Sequence, residues 1–161
     1  MGVDPDQLRE VMGRFATGVT VVTTRVGDET GAMTANAVLS LSLDPPLIIV
    51  SVEKDSQMHR LLMRSDCFAV NILQQDQENL SQRFAKPGPK HLADLEIRTA
   101  TSGAPILVAA LAFADCSIRQ VVAGGDHDMF IGEMTAGEIH EGEPLLFYGG
   151  GYGSLDRDGD K

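Results

Sequence analysis

The residue best placed by its sequence context to do chemistry is a histidine in a glycine turn. Residues 124–127 read Gly-Gly-Asp-His, and an alternating segment, DMFIGEM, follows at 128–134. Glycines allow positive φ and leave space beside the backbone, so a flat ligand can approach the ring of His127. Both ring nitrogens can form hydrogen bonds with such a ligand. The same four residues also fit an ordinary hairpin with a surface histidine.

A metal site is one alternative for His127, because imidazole is a common metal ligand. The other histidines, His59, His91 and His140, lie far off in unrelated contexts, and no Cys/His spacing resembles a zinc site. The sequence therefore predicts an organic ligand for His127 and no metal. No GxGxxG segment follows a predicted strand and opens a helix, so Rossmann-type dinucleotide binding is not predicted.

Three further segments accompany this turn. Residues 33–46 (MTANAVLSLSLDPP) lead into an apolar stretch at 47–52 and then EKDS at 53–56, and LLFYGGGYG stands at 145–153. In order and spacing the four motifs resemble the short-chain flavin reductase family. Its members are FMN-binding split-barrel reductases that supply reduced flavin to two-component monooxygenases. The resemblance covers residues 8–153.

The resemblance implies a fold, an activity and partners. The fold would be mainly β with flanking helices, an antiparallel split β-barrel in a domain of residues 1–153, forming a homodimer. The polar residues at 154–161 themselves predict a disordered tail. The activity would be that of a flavin reductase, which reduces FMN or FAD with NADH or NADPH and supplies a separate flavin-dependent oxygenase. The choice of flavin stays open, and the lack of an obvious arginine cluster for a 2′-phosphate favours NADH.

The resemblance also assigns site residues one by one. Those matched to the flavin ring are Thr34, Ala35, Asn36 and Ala37. Those matched to the flavin phosphate and ribityl chain are Ser51, Val52, Ser56, Arg83 and Phe84. Those matched to the nicotinamide are the catalytic candidate His127 together with Gly125, Asp126, Tyr148, Gly151 and Tyr152.

The chemistry of these residue types allows such roles. Small side chains let a flat ring lie on a strand, and the planar fork of Arg83 suits a phosphate better than Lys86 or Lys90 does. His127 can donate to the carboxamide or to a phosphate. Hydride transfer needs alignment but no protein acid or base. The family often has a basic residue where this chain has Gly150 or Gly151, which removes a charge partner for the dinucleotide.

Each segment also has a purely structural interpretation. Thr34 and Asn36 are ordinary residues for an edge strand, and Ser56 can simply cap a helix. Arg83 lies where a cation stabilises a helix C-terminus. The glycines at 149–151 would serve equally as a linker. The resemblance favours the ligand-binding interpretation in each case.

Local signals predict three short helices. The first is capped by Asp4, has an apolar face that includes Phe15, and ends at Gly18. Ser56 caps the second helix and Asp76 the third.

Periodicity and β-branched residues predict six or seven strands with mostly short connections, which favours antiparallel pairing and closure into a barrel. In residues 39–43 leucine alternates with serine, so the leucines are predicted to face the core. The segment 86–104, rich in Pro, Gly and Lys, is predicted to be one long loop.

Composition limits the functional class. The 161 residues are 43% hydrophobic and 22% charged, typical of one globular domain. No apolar stretch approaches the ~20 residues that span a bilayer, and the N-terminus lacks a signal-peptide pattern, so we expect no membrane partner and a cytoplasmic location. Cys67 and Cys116 lie in apolar segments and are expected to be buried free thiols.

The formal charge of −10 disfavours nucleic acid as a partner. Flavin and nicotinamide nucleotides are also anionic. A protein of this charge must therefore provide local cationic or donor-rich positions to bind them.

Two other functions stay open. The same fold could bind flavin without reductase turnover, as a binding or sensor module. Alternatively, the flavin could stay bound as a prosthetic group and reduce another acceptor, such as ferric iron. Bound flavin without NADH consumption would indicate the first, and flavin retained through gel filtration would indicate the second.

Overall fold

The computed structural model describes residues 2–157, and over that range the chain forms three helices and twelve strands. The helices are α1 (Pro5–Met12), α2 (Gln57–Leu62) and α3 (Glu78–Ala85). The strands are β1 (Thr17–Gly18), β2 (Thr20–Val26), β3 (Glu29–Ala35), β4 (Val38–Leu43), β5 (Pro46–Glu53), β6 (Cys67–Ile72), β7 (Ile97–Thr99), β8 (Pro105–Leu107), β9 (Ala112–Gly124), β10 (His127–Ile139), β11 (Leu146–Tyr148) and β12 (Gly151–Gly153). Residue 1 and, of the tail predicted at 154–161, residues 158–161 lie outside the described range.

Seven of these strands form one antiparallel sheet in the order β3-β2-β6-β9-β10-β5-β4. The predicted mainly β, antiparallel fold is confirmed, and the additional strands are two or three residues long. Only two residues connect β3 to β4, yet these strands stand at opposite ends of the sheet order. The sheet must therefore curl until its two ends approach one another.

The concave side of this curl holds the main apolar core. Phe68 and Phe130 are fully buried there with Val22, Val50 and Leu62. A second cluster lies under α3, where Phe84 packs with other buried apolar side chains. The core therefore fixes α2 and α3 against the sheet.

The first helix begins as predicted but is shorter than expected. Asp4 Oδ1 accepts a hydrogen bond from the Asp6 amide at 2.8 Å, and the helix stops at Met12, with Gly13 rather than Gly18 as its C-cap. Gly18 instead pairs with Leu146 in the small sheet formed by β1, β11 and β12. The apolar face of α1 is exposed, and α1 contains no buried residue.

The prediction that the leucines of 39–43 face the core is wrong. Leu39, Leu41 and Leu43 are 51%, 45% and 91% exposed. They lie on β4, an end strand of the large sheet, and a register shift between Ser40 and Ser42 interrupts the alternation. The described chain therefore leaves all three leucines largely uncovered.

The remaining local predictions had mixed outcomes. Ser56 caps α2 as predicted, but α3 begins at the N-cap Gln77 rather than Asp76, without a side-chain cap. The loop predicted at 86–104 contains β7, which pairs with β8. Cys67 and Cys116 are buried free thiols, as predicted. Within residues 2–157, no helix has both the length and the apolar character needed to cross a bilayer.

Candidate functional site

A cavity of about 850 Å³ opens between β3, α2 and the segment that follows α3. Its volume is in the range of small-molecule sites. The predicted site residues that line it are Thr34, Ala35, Asn36, Ala37, Ser51, Ser56, Phe84 and His127. The fold thus brings together residues that are as much as 93 positions apart in the sequence, from position 34 to position 127.

One wall of the cavity is the strand β3, which carries small residues. Gly31 faces α2 so closely that a Cβ there would lie 2.5 Å from Leu61 Cδ1 and 3.1 Å from Met58 Sδ. Further along the strand, the Thr34 hydroxyl donates to the Ser81 carbonyl at 2.6 Å. Because the Thr34 hydroxyl proton is donated to Ser81, the hydroxyl oxygen can still accept a hydrogen bond from a ligand.

A second wall runs from the end of β5 to the start of α2. The Ser56 hydroxyl accepts from the His59 amide at 3.1 Å and donates to the Glu53 carbonyl at 2.8 Å. Ser51 lines the cavity, whereas Val52, the next residue of the strand, is fully buried in the core and does not. The alternation of the strand separates these two predicted residues.

Cations line the cavity, but Arg83 is not among them. The lining includes Arg60, Lys86 and Lys90. The Arg83 guanidinium forms two hydrogen bonds of 2.7 Å with the carboxylate of Asp94, and this pairing raises the pKa of Arg83 and lowers that of Asp94. Direct contact of Arg83 with a phosphate stays a prediction.

Sequence reasoning undervalued these lining cations. Lys86 and Lys90 follow α3 directly, so their proximity to the site was readable from their position after the helix. Arg60 was missed, although it stands four residues after Ser56, a spacing that puts both on one face of a helix.

The predicted glycine turn joins β9 to β10. Gly125 has φ of +74°, a conformation that suits glycine. His127 Nδ1 lies 2.7 Å from Asp126 Oδ1, and this hydrogen bond lowers the pKa of Asp126. His127 lines the cavity, whereas Gly125 and Asp126 are adjacent in the turn and do not.

The expectation that His59 lies far from His127 is wrong. His59 Nε2 is 2.7 Å from Oδ2 of Asp128, the residue after His127. The pairing of β10 with β5 brings α2 beside the turn, across 69 positions of sequence. His59, then Lys54, holds the pKa of Asp128 below its usual range. Within residues 2–157 no group of three His, Cys, Asp or Glu side chains is placed to hold a metal ion.

The C-terminal segment is a hairpin and does not line the cavity. Gly149 and Gly150, both with positive φ, form the turn between β11 and β12. The Tyr152 hydroxyl lies 2.8 Å from Ser81 Oγ, and the Ser81 carbonyl accepts the hydrogen bond from Thr34. Ser81 therefore lies between Tyr152 and Thr34. Tyr148 and Gly151 are exposed at the same hairpin. Their predicted contacts with the nicotinamide stay predictions.

Comparison with known proteins agrees with this arrangement. Residues 12–156 match the model of a family described as a flavin reductase like domain. The chain is 40% identical over 168 residues to an NADH-dependent FAD reductase of Streptomyces globisporus, covering 99% of this chain and 92% of that protein. It is 36% identical over 157 residues to the reductase subunit HsaB of a flavin-dependent monooxygenase of Rhodococcus jostii, covering 97% of this chain and 80% of that one. Among solved structures, the flavin reductase PheA2 superposes with a TM-score of 0.89 at 42% identity, covering 96% of this chain and all of the other.

Proposed function

This chain belongs to the flavin reductase like family, and we propose that it is an NAD(P)H-dependent flavin reductase that reduces FMN or FAD and supplies a separate flavin-dependent oxygenase. The observation that carries the proposal is one cavity in which a wall of small residues, three cations and His127 meet. The relatives' names favour NADH as the donor and an oxygenase component as the recipient.

The residues of the cavity fit a flavin. Ala35 and Ala37 leave room for a flat ring beside β3, and Thr34 and Asn36 offer polar atoms to its edge. The backbone near Ala35 is held in place because Thr20 Oγ1 donates to the Ala35 carbonyl at 2.6 Å. When bound, the flavin supplies the atom that accepts the hydride.

The phosphate of the flavin would lie toward the hydroxyl and cationic side of the cavity. Ser51 presents a hydroxyl group to the cavity, and Lys86 and Lys90 line it as cations. Ser56 lines the cavity too, but its hydroxyl proton is already donated to the Glu53 carbonyl, so its contact with the phosphate stays a prediction. Glu53 and Asp55 also line the cavity, and their carboxylates would repel an anionic phosphate. The positive charges of Lys86 and Lys90 offset this repulsion. Arg83, fixed on Asp94, anchors the chain between α3 and residue 94 and so keeps these lysines in range.

His127 orients the nicotinamide in this proposal. Its Nδ1 is held by Asp126, which leaves Nε2 facing away from that carboxylate and free for a ligand. The carboxamide or a phosphate of the dinucleotide is a suitable partner. The contribution is alignment of donor and acceptor, because the transfer itself requires no protein proton.

A homodimeric split barrel completes the proposal. The curl of the large sheet provides the open barrel, and the exposed leucines of β4 and the exposed apolar face of α1 provide surface for a second copy.

Steady-state NADH oxidation with FMN, FAD and riboflavin in turn tests the function. Turnover with added flavin, and loss of that flavin on gel filtration, is expected. Flavin binding without NADH oxidation would indicate a binding module. Flavin that stays bound and reduces ferric iron would indicate a one-component reductase.

His127→Ala tests the proposed nicotinamide contact. Loss of one or two hydrogen bonds of about 0.5–1.5 kcal/mol each should raise the KM for NADH several-fold, with flavin affinity nearly unchanged. Weakened flavin binding at an unchanged KM for NADH would show that His127 serves the other ligand.

A further inference from the structure

We propose that His59, Asp128 and Lys54 form a positioning unit that holds the His127 turn at the cavity, so that these residues set the affinity for the hydride donor without touching it. The inference rests on the proposed function for the identity of that ligand. The mechanical part, the restraint of the turn, is independent of it.

The unit consists of one carboxylate shared by two cationic or donor groups. Asp128 is 9% exposed; its Oδ2 lies 2.7 Å from His59 Nε2, and its Oδ1 lies 3.6 Å from Lys54 Nζ. Lys54 Nζ also donates to the Gly125 carbonyl at 2.7 Å, and the Lys54 amide donates to the Asp126 carbonyl at 3.0 Å. The turn is therefore fastened on both sides of Asp126.

Strand alternation puts the residue that restrains the turn and the residue that lines the cavity on opposite faces of β10. His127 and Asp128 are consecutive residues of β10 and point to opposite faces. His127 lines the cavity and Asp128 does not. Phe130 lies on the same face as Asp128. Its ring centroid is 5.6 Å from that of His59, and the two ring planes meet at 74°, so the rings pack edge to face. His59 is thus held by an apolar contact as well as a hydrogen bond.

The backbone of the same histidine is also bonded to the cavity wall at the start of α2, although His59 itself does not line the cavity. The His59 amide donates to Ser56 Oγ at 3.1 Å, and Ser56 lines the cavity. One residue therefore connects the wall proposed to hold flavin with the turn proposed to hold the dinucleotide. Displacement of His59 moves the turn relative to that wall, which misaligns the donor even when flavin still binds.

A positioning role and a simple stabilising role make different predictions. Loss of a stabilising contact lowers the melting temperature and the active fraction, but it leaves the KM of the folded molecules unchanged. Loss of a positioning contact raises the KM for NADH and loosens the turn in molecules that remain folded. The conservative variant His59→Gln, whose amide nitrogen can replace Nε2 as a donor, should preserve the position.

The test measures KM for NADH, flavin affinity and hydrogen exchange of residues 124–128 in the full-length protein. His59→Ala should raise the KM about five- to ten-fold, leave flavin affinity within about two-fold, and speed exchange at the turn about ten-fold. His59→Gln should recover most of both effects. The matched control is His140→Ala, because His140 Nε2 pairs with Glu138 Oε1 at 2.9 Å away from the cavity lining.

Lys54→Ala provides a second variant at a more exposed position, should His59→Ala fail to fold. It should raise the KM for NADH about three-fold and also speed exchange at the turn. An unchanged KM in both folded variants, or an equal rise in His140→Ala, overturns the positioning role. If the wild-type protein does not oxidise NADH, the proposed function fails, and the exchange measurement alone still judges the unit: unchanged exchange refutes it.

Discussion

Replacement of Gly132 by alanine should destabilise the protein through a steric conflict in the main core. A Cβ at this position would lie 2.6 Å from both Cε1 and Cζ of Phe68 and 2.8 Å from Cys116 Cβ. Carbon atoms pack best at about 3.5–4.0 Å, so each contact is short by roughly 1 Å. Phe68 is fully buried, and β10 is hydrogen-bonded to strands on both sides, so neither can retreat freely.

The expected cost follows from this geometry. Overpacking a rigid core costs about 1–3 kcal/mol, which for a domain of this size lowers the melting temperature by about 2–4 °C per kcal/mol. Urea unfolding of Gly132→Ala measures the loss directly. Gly18→Ala is the matched control, because Gly18 is also a strand glycine, and a Cβ there would meet nothing within 4 Å.

A double-mutant cycle identifies the responsible neighbour. In a Phe68→Leu background the ring atoms are absent, so Gly132→Ala should cost about 1 kcal/mol less than it does in the wild type. A loss below about 0.5 kcal/mol for Gly132→Ala, or the same loss in both backgrounds, would refute the steric explanation.

Three further predictions concern charge. Arg83→Ala and Asp94→Ala should each weaken FMN binding about two- to five-fold and spare riboflavin, because the pair acts as an anchor; a ten-fold loss for Arg83→Ala with no effect of Asp94→Ala would instead show direct phosphate contact. The Ala110 carbonyl, then Glu138, raises the pKa of His140, so its stabilisation is present below about pH 6.5 and lost as pH rises through the raised pKa. His140→Ala should therefore lower the melting temperature more at about pH 6 than at about pH 9; equal shifts would contradict this. Burial raises the pKa of the Cys116 thiol to about 12, so mass spectrometry should find it modified by a thiol reagent only after unfolding.

Local signals in the sequence were sufficient for the starts of α1 and α2 and for the glycine turn. Asp4 and Ser56 cap their helices because capping depends on a few neighbouring residues. The Gly125 turn likewise depends on backbone conformation within four residues. The motifs of the resemblance also located part of the cavity wall, because the stretch 33–37 and the stretch 51–56 are each short segments of the chain.

Features decided by distant partners were not predictable in the same way. Periodicity predicts that the leucines of β4 share a face, but it shows neither the register shift between Ser40 and Ser42 nor whether the described chain covers these side chains. The pair of His59 and Asp128 depends on strand pairing across 69 positions. Arg83 had two anionic partners available in principle, a ligand phosphate and a carboxylate eleven residues away, and sequence alone does not rank them.

The cavity is assembled from four separated stretches of the chain, on β3, at the β5–α2 junction, after α3 and at His127. None of these stretches holds the others without the whole sheet, so a flavin that needs the first three binds only the native state. Its binding free energy is then added to that of folding, about 2.7 kcal/mol at a free concentration one hundred times its Kd. Flavin supply would consequently set the protein's resistance to unfolding and proteolysis, and its abundance in a cell would follow the size of the flavin pool.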